Sequence, residues 1–236
     1  MAASDDDPTA VLDAVGGLGR ERASRERARD ALLARTVSVH AAGFATLDFA
    51  PLLAAPADVA EQALSAIVAM LGGGLYPPRR RRVSRLLRVL AGDADGGYTL
   101  AGCRFVLWRS RYLVLRELAA AATPARILPG KRLVWDRRFE VALSAAAAGP
   151  VTLNYLDETG VAELNGRAPV LPRTELPLLV RPILPALWDE GGIAAVPHLG
   201  YRREGVCLLP ELVFRPVKSL SDAGFAVVKA GALLMS

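Results

Sequence analysis

The sequence predicts an α+β protein: a helical N-terminal domain over residues 9–92, then a β-rich C-terminal domain over residues 98–232. Three observations predict it. Apolar residues recur at helical spacing up to Gly92. Beyond Gly92-Asp-Ala-Asp-Gly-Gly97, short runs rich in β-branched and aromatic residues replace that pattern. Prolines crowd the chain past residue 123 and cut it into short elements. With 236 residues, 52% hydrophobic and 22% charged, and a mean hydropathy of +0.28, the chain can bury a sizeable core and is excluded from the disordered class.

Residues 9–35 read as one helix. Within Arg20–Arg29, Glu21 precedes Arg25 by four and Arg22 precedes Glu26 by four, the pairing of a solvated helix face. The stretch from His40 to Asp48 lacks that spacing and reads as a loop or hairpin. Ala57–Leu71 is a second helix, opened by Pro56 and closed by Gly72. A third follows Pro77-Pro78: Val83, Leu86, Leu87 and Leu90 form an apolar stripe, and Arg81, Arg85 and Arg88 lie on the opposite side.

Strands are expected at Tyr98–Arg109 and Arg111–Arg116 around a tight turn at Ser110, then at Val134–Val141 and Val151–Tyr155. Glu158-Thr-Gly160 and Asn165-Gly166 read as turns. A short helix is expected near Val180–Leu187, with strands near Gly192–Val196, Val206–Leu209 and Val213. No repeat of 20–50 residues is present.

Catalytic constellations are scarce. His40 and His198 lack metal-ligand spacing and read as packed or surface residues, so no metal is expected. No Gly-x-Ser-x-Gly elbow occurs. Gly72-Gly-Gly74 and Gly16-Gly-Leu-Gly19 are not phosphate loops, since no Lys-Ser/Thr follows them; they read as helix ends or hinges. Asp136 and Asp189 read as single carboxylates in turns or caps. Cys103 and Cys207, far apart, read as buried small hydrophobes. The acidic start, Met1 to Pro8, lacks the positive charge of a secretory leader, and the richest apolar run, Ala63–Tyr76, is shorter than the roughly 20 residues of a membrane span. A soluble, cytoplasmic protein with no membrane partner is expected.

One feature stands above this background. Arg79, Arg80, Arg81, Arg82, Arg85 and Arg88 occur with no acid among them, a local +6 against +5 for the whole chain. They sit at the start of a helix, where the macrodipole favours negative charge. Such a conflict marks either a solvated face in an Arg-rich chain or a surface for phosphate. Arginine suits bidentate phosphate contact, and with Tyr76 the only nearby ring, a shaped or duplex RNA fits better than an unstructured strand.

Eight segments, in order, resemble the C-terminal half of bacterial tRNA(Ile)-lysidine synthetase, particularly its alphaproteobacterial form. They are Leu18-Gly-Arg20, Ala42-Gly-Phe44, Tyr76-Pro-Pro-Arg79, Leu100-Ala-Gly-Cys103, Val134-Trp-Asp-Arg-Arg-Phe139, Leu184-Pro-Ala-Leu-Trp-Asp189, Val196-Pro-His-Leu-Gly-Tyr201 and Ala223-Gly-Phe-Ala-Val-Val228. That family is a carbon–nitrogen ligase that uses ATP to join lysine to the wobble cytidine of an isoleucine tRNA. The resemblance implies an accessory, tRNA-holding role. The family's Ser-Gly-Gly-x-Asp-Ser loop does not occur in this sequence, so no catalytic or ATP-contacting residue is carried over, and ATP is expected only in an absent N-terminal domain. The chain is therefore expected to be inactive alone: a fragment, a split reading frame or a stand-alone module. Two other readings stand beside it, a protein-interaction module that docks on a separately encoded catalytic domain through an exposed apolar patch on residues 57–71, and an independent hydrolase.

Overall fold

A computed structural model describes residues 8–92, 97–167 and 176–220, with side chains from residue 16 onward. The acidic start, most of the glycine–aspartate stretch after Gly92 and the Ala223–Val228 segment lie outside the described residues.

Helix α1 (Pro8–Thr36) leads into the hairpin β1 (Val37–His40) and β2 (Phe44–Leu47). The short α2 (Ala50–Leu53), α3 (Ala57–Leu71) and α4 (Arg80–Ala91) follow. Then come β3 (Tyr98–Leu100), β4 (Cys103–Trp108), β5 (Arg111–Arg116), β6 (Ala125–Ile127), β7 (Arg132–Trp135), β8 (Phe139–Leu143) and β9 (Val151–Tyr155). Helix α5 (Asp157–Arg167), a 3-10 segment (Leu178–Ile183), β10 (Pro185–Asp189), β11 (Gly192–Val196), β12 (Tyr201–Arg202) and β13 (Pro210–Phe214) complete it. The class is α+β, helical first and strand-rich afterwards, as the sequence predicts. No described helix is long and apolar enough to cross a membrane.

Three antiparallel sheets form, in the orders β1-β2-β5-β4-β3, β12-β11-β10-β9-β6 and β13-β8-β7. The first takes strands from both sides of residue 92, because β2 pairs with β5 (Ala45 opposite Val114). Its central strand, β5, is buried on both faces. Tyr112 and Val114 enter the core shared with α1, α3 and α4, while Leu113 and Leu115 enter a second core beneath α5 and the 3-10 segment. Period-two alternation thus serves two apolar layers rather than one wet and one dry.

The helices match expectation closely, with α3 flanked by Pro56 at its N-cap and Gly72 at its C-cap and the Glu21–Arg25 and Arg22–Glu26 pairs formed on α1. Gly16, Gly17 and Gly19 do not end or hinge a helix; α1 runs through them. His40 to Asp48 proves to belong to a hairpin that starts earlier, at Val37.

Several strand expectations are corrected. The run from Tyr98 to Arg109 is two strands, folded at Ala101 and Gly102, both at positive φ. The run from Val134 to Val141 is likewise split, at Asp136 (φ 50°) and Arg137 (φ 54°). The turns expected at Glu158–Gly160 and Asn165-Gly166 lie inside α5. There Leu164 enters the second core, and Gly160 lies so close to Trp188 that a Cβ would stand 3.1 Å from its ring. Gly160 is therefore a packing glycine, not a turn signal. The helix expected at Val180–Leu187 is a 3-10 segment containing Pro182, and Pro185 opens β10 instead. Val206–Leu209 forms no strand.

Candidate nucleic-acid interface

Helix α4 is built as its spacing dictates. Val83, Leu86 and Leu90 are buried, and Leu87 packs partly against the same core. That fixes the helix rotation and turns Arg81, Arg82, Arg85 and Arg88 to solvent, with Arg79 exposed at the N-cap. Burial of the stripe contributes about 1.5–3 kcal/mol per large side chain, enough to hold a helix whose first turn carries like charges against its own dipole.

Of the six arginines, Arg80 alone has an ion-pair partner among the described residues. Its Nε donates to Glu61 Oε2 of α3 at 2.5 Å, and Ser84 Oγ donates to the other Glu61 oxygen. These hydrogen bonds, Ser84's first, hold the Glu61 carboxyl below its ordinary range. The remaining five guanidiniums point outward, so the charge read from the sequence survives folding almost whole. Beneath them, Arg25, Arg29, Asp58 and Glu61 line a cleft of about 570 Å³ between α1, α3 and the start of α4.

A second set of arginines went unpredicted. Arg116, at the end of β5, is buried and grips Asp136 with two parallel bonds, Nε to Oδ2 (2.7 Å) and Nη2 to Oδ1 (2.8 Å). It also donates to the carbonyls of Gly102 and Ala120. Tyr155 OH donates to Asp136 Oδ2 at 2.6 Å, and the Ala122 N–H donates to Oδ1. Arg138, fully buried, lies 3.7 Å from Asp136 Oδ2 and donates to the carbonyls of Leu71 (2.6 Å) and Gly43 (3.0 Å). One residue set thus ties β5 of the first sheet, β9 of the second, the β7–β8 turn of the third and the end of α3. Gly43 has to be glycine here: at φ +82°, a Cβ would fall 2.5 Å from Phe139 and 2.7 Å from Arg138.

Asp136 in the β7–β8 turn and Asp189 at the turn after β10 thus have the structural role expected of them, with arginine partners the sequence does not announce. Asp189 accepts from Arg203 and from the Gly191 N–H. Burial opposes the charge on Asp136, but the bonds from Arg116 and Tyr155 and the nearby Arg138 outweigh it and hold the carboxyl low. Burial pushes the Tyr155 phenol up. With these partners Asp136 is a structural anchor rather than an acid–base group. A hint was present in Val134-Trp-Asp-Arg-Arg-Phe139, where three charges sit between large aromatics in a strand context.

Both histidines are packed, as expected. His40 Nδ1 accepts from the Ala42 N–H, and its ring stacks on Phe44. His198 is lowered to about 4, by burial and then by the proximity of His40. Cys103 is buried, its thiol pushed up to about 12. Cys207 is exposed, against expectation, because the segment that carries it is a surface coil. Among the described residues no group of three His, Cys, Asp or Glu side chains could hold a metal.

No protein-family profile matches the chain. It is similar to curated tRNA(Ile)-lysidine synthases: 32% identical to that of Caulobacter vibrioides over 156 residues, covering 64% of this chain and 37% of the relative. The Rickettsia rickettsii enzyme is 23% identical over 176 residues, 72% of this chain and 36% of the relative. That of Rickettsia bellii is 27% identical over 109 residues, 46% of this chain and 25% of the relative. The chain thus spans between a quarter and about two fifths of the length of these relatives.

Proposed function

We propose that this chain, a partial, C-terminal-type homologue of the tRNA(Ile)-lysidine synthases, is the part that holds tRNA, with the α4 arginine face laid on the phosphate backbone. The observation that carries the reading is the exposure of Arg79, Arg81, Arg82, Arg85 and Arg88, without ion-pair partners among the described residues, on a helix whose rotation is fixed from beneath. Fixed, clustered, unneutralised guanidinium is what a phosphate backbone selects, and it requires no base edge. Attachment of lysine to the wobble cytidine, driven by ATP, belongs in this reading to a catalytic domain outside this chain, and the compartment is the cytoplasm, where tRNA is modified. The interaction-module reading expected an exposed apolar patch on α3. The large apolar residues of α3 are buried, so that face lends it no support.

The test is binding of the full chain to an isoleucine tRNA over a range of salt. Affinity should fall steeply, with a log–log slope of roughly −0.9 per phosphate contacted. Reversal of charge at Arg81, Arg85 and Arg88 together should abolish binding. Salt-insensitive binding, or none, overturns the proposal.

A further inference from the structure

β3 is an edge strand, paired only with β4. The Ala101-Gly102 turn has φ of 47° and 82°, a two-residue type I′ turn. That turn makes Leu100 and Cys103 a hydrogen-bonded pair and Thr99 and Arg104 a non-hydrogen-bonded one. The next hairpin gives the same parity independently. Trp108 and Arg111 close on the Arg109-Ser110 turn, so the N–H and C=O of Arg104 are directed to Leu115 of β5, away from β3. The backbone N–H and C=O of Thr99 therefore face outward from the sheet. Among the described residues no hydrogen bond from another element reaches them.

The β3 edge at Thr99 borders a groove of about 680 Å³ between β3 and α4. Arg82, Arg85, Leu86 and Val89 form one wall, and Gly97–Ala101 form the other. Arg82 and Arg85 belong to the exposed set, and Tyr98 is half-buried at the groove. The sequence offers only Tyr76 as a ring near the arginines; folding supplies Tyr98 from the next element.

We infer that this groove takes one unstacked nucleotide, its base against Tyr98 and bonded to the Thr99 N–H and C=O, its phosphate on Arg82 and Arg85. The inference rests on the tRNA reading above and deepens it. Every nucleobase carries a donor and an acceptor side by side on one edge, and RNA-binding proteins read splayed bases by stacking plus such bonds. Guanidinium matches phosphate bidentately, and base–aromatic stacking tolerates any sequence. An added peptide strand fits less well. It needs a row of outward groups, and β3 presents those of Thr99 alone.

Two RNA hairpins with the same stem, one blunt and one with a single unpaired 3′ nucleotide, separate the claims. The chain should bind the second roughly tenfold more tightly. Thr99→Pro, which deletes the N–H at a position that gives no bond to β4, should erase that preference while Thr99→Val keeps it; all three proteins should bind the blunt hairpin alike. Equal affinity of the unaltered chain for the two RNAs overturns the inference and leaves the tRNA proposal standing. Failure to bind either RNA removes both. Independently of any variant, a nucleoside 5′-monophosphate should shift the Thr99 amide resonance of the unaltered chain. A Thr99 amide that answers to an extended acidic peptide and not to the nucleotide also overturns the inference.

Discussion

Two groups of arginines in this chain occupy opposite environments. On α4 and its N-cap, five guanidiniums stand in water with no ion-pair partner among the described residues. Where the three sheets meet, Arg116 and Arg138 are enclosed, and their donors reach Asp136 and the carbonyls of Gly43, Leu71, Gly102 and Ala120. The exposed set contributes field and little stability, since surface charges are solvated alike in folded and unfolded chains. The buried set adds no field that a ligand could feel. It fixes how the sheets sit, and each of its charges depends on a single carboxylate. Arginine content alone therefore says little about ligands; what separates the two groups is whether an acid lies within reach.

Substitutions should sharpen that contrast. The largest effect belongs to Asp136→Asn, which leaves two enclosed cations facing a neutral amide. Chemical denaturation should show a loss of about 3–5 kcal/mol, and an unchanged midpoint would refute the anchor role. Next comes acid. The His198 imidazole binds its proton near pH 6.5 when unfolded and at about 4 when folded. Between those values the unfolded chain holds more protons, so stability contributed by the neutral ring is complete above about pH 6.5 and lost as pH falls toward 4, on the order of 3 kcal/mol. His198→Leu should flatten that part of the stability–pH curve, and it deletes no hydrogen bond at Nε2, which has no partner among the described residues. Smallest is Arg81→Ala, which should move Tm by no more than about 2 °C while reducing the salt slope of tRNA binding by about one. Comparable melting losses from Arg81→Ala and Asp136→Asn would dissolve the distinction between the two groups.

Much of this was legible in the chain. Of the three long helices, α1 follows from its i,i+4 charge pairs, and α3 and α4 from apolar spacing and from Pro56, Gly72 and Pro77-Pro78. The arginine face follows from the same arithmetic, since a stripe at i, i+3 and i+7 fixes where the intervening residues point. What stayed hidden depends on contacts remote in sequence. Asp136 reads as alone because Arg116 lies 20 residues before it and Tyr155 19 after. Gly160 reads as a turn because nothing local announces Trp188 above it. Tyr98 and Thr99 read as ordinary strand residues, because only the pairing parity shows which of them has bare backbone groups.

The pairing of β2 with β5 has a consequence for how this protein can be dissected. A cut in the stretch after Gly92 would not release two self-sufficient halves: the helical half would keep a lone hairpin whose Ala45, Thr46 and Leu47 had lost their neighbours, and the remainder would begin with a sheet lacking its flank. Shortened versions of this chain should be designed around that seam rather than along the boundary that composition suggests.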